Sequence, residues 1–68
     1  MATRYDRVKA TILDTIDEMP ADYGLPLGSA SMAASGMVSP IVFSQIVREL
    51  VAAGLIEVRH NAAFRTRS

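Results

Sequence analysis

The stretch "GMVSPIVFSQIVRELVAAGLIEVR", residues 36–59, fixes more of this chain than any other. It begins at a glycine, passes a Ser-Pro pair, runs through an apolar-rich segment to Gly54, and ends in a short β-like segment. Ser39 is of the N-cap type, and Pro40 falls at the first helical position, where its missing amide costs nothing. Phe43, Ile46, Val47 and Leu50 are spaced to share one helix face. Gly54 sits where a helix ends in the left-handed region. These marks predict a helix from about Pro40 to Ala53. Its many β-branched residues require tertiary packing to outweigh propensity.

Working outward, the residues after Gly54 alternate. Ile56 and Val58 interleave with Glu57 and Arg59, a period of two. "HNA" can turn, because asparagine tolerates the left-handed region. "AFRTR" alternates again, with Phe64 and Thr66 on one face and Arg65 and Arg67 on the other. A β-hairpin of about 55–59 and 63–67 is expected, with Phe64 in the core.

Toward the N-terminus, "SASMAASGM" predicts a short helix over about 30–35, capped by Ser29 and closed by Gly36. "PADYGLPLG", residues 20–28, holds two prolines and two glycines and reads as a loop. "LPL" within it can be briefly extended, with Leu25 and Leu27 anchoring the loop to the core. Before it, Tyr5, Val8, Ile12, Ile16 and Met19 recur at spacings of three and four, and Leu13 widens that stripe. Thr3 and Asp6 have capping-box spacing, and Pro20 stops the pattern. A helix over about 4–19 follows.

The expected order is helix, loop, short helix, tight turn, helix, hairpin, in one domain spanning 1–68. That order is mainly α with a C-terminal β-hairpin. Half of the 68 residues are hydrophobic, enough for one core in a domain of marginal size. Cysteine is absent and histidine occurs once, so thiolate and multi-histidine metal sites are excluded. No glycine-rich phosphate loop follows a strand, and His60 has no carboxylate nearer in sequence than Glu57. Neither an enzyme nor a cofactor or metal site is expected. The apolar runs are far too short to span a membrane, and "MATRYDRVKA" lacks the apolar region of a signal peptide. A soluble, cytoplasmic protein is the expectation.

Net charge is zero, but its distribution is uneven. Residues 1–28 carry three basic and five acidic side chains, and residues 29–68 carry four and two. After Glu57 no acidic residue occurs. A basic half of this kind suits an anionic partner.

Residues 29–68 resemble a winged helix-turn-helix domain. The resemblance rests on Gly36, Val38 and Ser39 in the turn, Phe43, Ile46 and Leu50 on the buried face, and "LVAAGLIEVR" at 50–59. In that superfamily a leucine, three residues and Gly-Leu-Ile commonly lead from the recognition helix into the first wing strand. With the first helix as the usual support, the likeness covers most of the chain. It implies sequence-specific binding of double-stranded DNA, by a small transcriptional regulator or an accessory factor. The helix from Pro40 would be the recognition helix and the hairpin the wing.

On that resemblance the contact residues would be Ser39, Pro40, Ile41, Ser44, Gln45 and Arg48 on the helix. Gln45 suits an adenine edge, and Arg48 suits guanine or a phosphate. Ser44 can donate to a base or phosphate, and amides near Ser39 suit a phosphate. Ile41, with Val42, could meet thymine methyls. Arg59, His60, Asn61, Arg65 and Arg67 would be the wing contacts, to phosphates or a minor groove. The alternative is a winged-helix protein-interaction module, an adaptor or an inhibitor of a larger assembly, using the apolar face around Ile41 and Val42. A homodimer is also compatible with the DNA-binding reading, since small DNA-binding winged domains usually dimerise to gain affinity, and here the first helix or the C-terminal tail would have to do that.

Overall fold

The computed structural model describes residues 3–20 and 22–66, so the expectation for Arg67 lies outside the described residues. Six elements follow in order: α1 (Arg4–Glu18), β1 (Leu25–Pro26), α2 (Leu27–Ala34), α3 (Pro40–Ala52), β2 (Ile56–Arg59) and β3 (Ala62–Arg65). Three helices and a C-terminal antiparallel hairpin make the fold mainly α, in an arrangement compatible with a winged-helix topology. The Cα radius of gyration of 11.1 Å agrees with the roughly 11 Å expected of a packed domain of this length.

α1 begins with a complete capping box. The Asp6 amide donates to the Thr3 hydroxyl at 3.2 Å, and the Thr3 amide donates to the Asp6 carboxylate at 3.3 Å. Val8, Ile12 and Ile16 are buried on one stripe. The helix stops one residue short of the expected Met19, which is extended (φ −84°, ψ 149°). Pro20 is the cause, because the residue before a proline is driven out of the helical region.

α2 departs further from expectation. It starts at Leu27, not Ala30, and its N-cap is Pro26, with Ser29 inside the first turn. The cause is non-local. Leu25 and Pro26 pair with Ala63 and Ala62 of β3, and the Leu27 amide donates to the Asn61 carbonyl at 3.0 Å. That pairing fixes where the chain leaves the sheet, and the helix begins at once. The amides of Met37 and Val38 both reach the Ala34 carbonyl, at 2.9 and 3.0 Å, and close α2 there.

α3 carries the marks the sequence displays. The Ser39 hydroxyl accepts from the Val42 amide at 3.2 Å, with Pro40 next in the helix. Its end is a Schellman motif: Gly54 has φ +75°, its amide reaches the Val51 carbonyl, and the Leu55 amide reaches the Leu50 carbonyl, both at 3.0 Å. Phe43, Ile46, Val47 and Leu50 are buried, and Ile46, Leu50 and Ile56 are the largest fully buried side chains.

The hairpin turns through His60 (φ 51°) and Asn61 (φ 59°). Two successive left-handed residues give the tight reversal whose twist matches that of the strands. β3 is central in the sheet, with β1 and β2 on either side. Both strands sit slightly off the expected 55–59 and 63–67. Ile56 pairs with Arg65, Glu57 with Phe64, Val58 with Ala63 and Arg59 with Ala62. Directly opposed residues share a face. Ile56 and Ala63 therefore define the core face, and Phe64 lies on the other one.

This corrects the expectation of a core Phe64. The ring is half-buried on the outer face, with the Arg59 guanidinium 4.3 Å from its centroid. Gly24 lies against the same ring so closely that a Cβ there would come 2.6 Å from the ring's Cζ. The need for close approach explains a glycine at that point.

Candidate nucleic-acid interface

α3 projects its contact candidates because its opposite face is committed to the core. With Phe43, Ile46, Val47 and Leu50 buried, the residues between them in the helical turn face outward. Pro40, Ile41, Ser44, Gln45 and Arg48 are all exposed, and Ile41 is 72% exposed. Val42 does not join Ile41 in an exposed pair, because it is half-buried and packs against the core cluster. Ser39 is exposed as well, but its hydroxyl already serves as the helix cap.

The outward face has a fixed edge on the α1 side. Glu49 accepts a hydrogen bond from the Tyr5 hydroxyl and lies 3.8 Å from the Lys9 ammonium. These contacts tie α3 to α1. They also place a cation beside the carboxylate next to Gln45 and Arg48. The Tyr5 phenol is held above its ordinary range, first by its hydrogen bond to Glu49, then by desolvation and by the charges of Glu49 and Asp6.

On the other edge α3 meets the hairpin tip across a cleft of about 560 Å³. Ser44, Val47 and Arg48 form one wall, Leu27 and Ser31 of α2 another, and Asn61 closes it from the hairpin. The Arg48 guanidinium has no ion pair or hydrogen bond among the described residues. The structure thus brings Ser44, Arg48 and Asn61 together. Ser31 joins them although nothing in the sequence singled it out. Its place depends on β1 pairing with β3, which no local pattern reveals.

The hairpin arginines are not equivalent. Arg59 is exposed, 3.9 Å from the Glu57 carboxylate and stacked on Phe64. His60 and Asn61 are exposed at the tip. Arg65 is at the far end of the hairpin. Its guanidinium donates to the carbonyls of Asp17 and Met19, at 3.1 and 2.7 Å. It pairs across the sheet with Ile56, and that core-side position aims it at the carboxyl end of α1. Arg65 is therefore apart from the tip residues. Thr66 lies beside it, its hydroxyl 3.0 Å from the Gly54 carbonyl and 3.3 Å from that of Leu55.

No group of three or more His, Asp or Glu that could hold a metal ion occurs among the described residues. No helix among them is long and apolar enough to cross a membrane. Compared with known protein families, with curated proteins and with solved structures, the chain matches none.

Proposed function

We propose that this chain binds double-stranded DNA through α3 and the β2–β3 hairpin, as a small transcriptional regulator or accessory factor. One observation carries the reading. α3 is anchored by four buried residues, its outward face carries Gln45 and Arg48, and Arg48 lines a cleft closed by the hairpin tip. A helix held rigidly beside a projecting hairpin is the geometry a major groove accepts. Gln45 suits an adenine edge, and Ile41 suits thymine methyls. Arg48, Arg59, His60 and Asn61 supply cations and donors for the sugar-phosphate backbone.

The test is binding to random duplex DNA across a salt series, followed by selection of a preferred site. Gln45→Ala should cost about 1–3 kcal/mol on the preferred site and little elsewhere, because no charge is removed. Absence of duplex binding at low salt refutes the reading.

A protein-interaction module is the second reading, and exposed Met32, Met37 and Ile41 favour it. They occupy α2, the turn and the start of α3. Apolar side chains so exposed are common at partner surfaces. If Ile41→Ser abolishes biological activity while Gln45→Ala leaves it intact, the helix grips a protein.

A further inference from the structure

The cleft joins three separate parts of the chain: the first turns of α2, the middle of α3 and the hairpin tip. The Leu27–Asn61 backbone hydrogen bond ties the α2 wall directly to the hairpin tip. No carboxylate lines the cleft, and Arg48 is its sole charged residue. The remaining polar side chains, Ser31, Ser44 and Asn61, are neutral and can each donate a hydrogen bond. A single unpaired cation among neutral donors matches an anion of one charge. The space exceeds a lone phosphate and accommodates one with its flanking sugars.

Arg48 could in principle read a guanine or hold a phosphate. Its surroundings decide between them. It lies one turn beyond Gln45, away from the amino end of α3, and it borders the α2 and hairpin walls. A guanidinium in that position meets the strand that runs past the groove, between the helix and the hairpin.

We infer that this cleft seats a phosphodiester of the nucleic-acid backbone. Arg48 is its counter-charge, and the hydroxyls of Ser31 and Ser44 with the Asn61 amide are its neutral donors. The inference rests on the DNA-binding reading and deepens it. Arg48 positions the strand, α2 takes part through Ser31, and base recognition falls to Gln45 and Ile41.

The experiment measures affinity for the selected duplex, and for its single-base-pair variants, across a salt series. The proteins are wild type, Arg48→Ala, Arg48→Lys, Ser31→Ala, Ser31→Glu and Ala10→Glu. Circular dichroism checks that each folds. Arg48→Ala should weaken binding by the same factor on every duplex and flatten the salt slope by about one. Arg48→Lys should restore the slope, because a phosphate needs the charge more than the planar fork. Ser31→Glu should weaken binding about tenfold or more, since it brings a like charge to the phosphate. Ala10→Glu, the same charge change on the exposed face of α1, should weaken it far less. Ser31→Ala should cost a smaller factor, uniform over sequences.

Loss of preference at one base pair in Arg48→Ala, unrestored by lysine, overturns the inference, as does equal weakening by Ser31→Glu and Ala10→Glu. Should Ser31→Glu not fold, a Ser31→Ala affinity equal to wild type overturns the part assigned to α2. In each of these outcomes wild type still binds DNA, so the functional reading survives. If wild type binds no duplex at any salt, the functional reading itself fails and the phosphate seat falls with it.

Discussion

Replacing Arg65 by alanine separates two uses of the hairpin's positive charge. The guanidinium donates to the carbonyls of Asp17 and Met19, at the end of a helix whose last turn holds no basic residue. Hydrogen bonds to a charged group contribute about 1.5–3 kcal/mol each where water cannot replace them. Here both are exposed, and water takes the freed carbonyls in the variant. What remains is about 1 kcal/mol of net hydrogen bonding and about 0.3–1 kcal/mol from a cation at a helix carboxyl end. The loss is therefore about 1–2 kcal/mol, and at about 4–8 °C per kcal/mol for a domain this small the melting temperature falls by about 5–15 °C.

Thermal unfolding followed by circular dichroism measures that fall, and the salt slope of DNA binding is measured beside it. Arg65→Lys keeps the charge but loses the fork that spans two carbonyls, so it should melt between alanine and wild type. The slope should not change in either variant. An unchanged melting temperature in Arg65→Ala, together with a slope flatter by about one, would refute the reasoning and put the guanidinium on a phosphate.

Three further outcomes are expected. Leu50→Ala truncates a fully buried side chain in α3, costs about 2–5 kcal/mol and lowers the melting temperature by more than about 10 °C; an unchanged melt would mean the buried face is wrong. Gly24→Ala would put a Cβ 2.6 Å from the Phe64 ring and 2.8 Å from the Ala62 Cβ, an overpacking cost of about 1–3 kcal/mol. Phe64→Leu in the same chain should recover part of that cost, and strictly additive losses would argue against the contact. The raised Tyr5 pKa means that the folded state holds the phenolic proton more tightly than the unfolded one. Its stabilisation is complete below the ordinary tyrosine value of about 10 and is lost as pH rises through the folded value. Wild type should therefore lose melting temperature above about pH 10 more steeply than Tyr5→Phe, and parallel profiles would disprove the link.

The parts of this fold legible in the sequence are those set by local chemistry. Thr3 with Asp6, Ser39 with Pro40, and Gly54 each mark a helix end through contacts within a few residues, and the structure has those ends. The α2 start was not legible, because it follows from Leu25 and Pro26 pairing with residues almost forty positions later. Alternation in "AFRTR" divides the strand into two faces, but it does not say which face is buried. The register of Ile56 against Arg65 decides that, and it turns Phe64 outward. The same logic applies to the candidate site. The outward face of α3 can be read as the complement of its buried face, whereas Ser31 enters only when two distant segments meet.

The cations bear on how a chain of zero net charge could hold a polyanion. Of the arginines described in the C-terminal half, Arg65 is spent on α1. Arg59 is shared between Glu57 and the Phe64 ring. Of these three, only the Arg48 side chain is unpaired among the described residues, and it borders the cleft. A domain that offers one or two cations to the backbone neutralises few phosphates, so its salt slope should lie near −1 to −2 per copy, at about −0.9 for each phosphate. So shallow a slope leaves little non-specific attraction. Useful affinity would then depend on base contacts from Gln45 and Ile41, or on a second copy on the same duplex. Measuring the slope together with the stoichiometry distinguishes these. Two copies per site with a doubled slope would mean that pairing supplies the affinity. A single copy with a slope near −3, at about −0.9 for each phosphate, would mean that Arg65 joins Arg48 and Arg59 on the strand, leaving the α1 carbonyls to which its guanidinium donates.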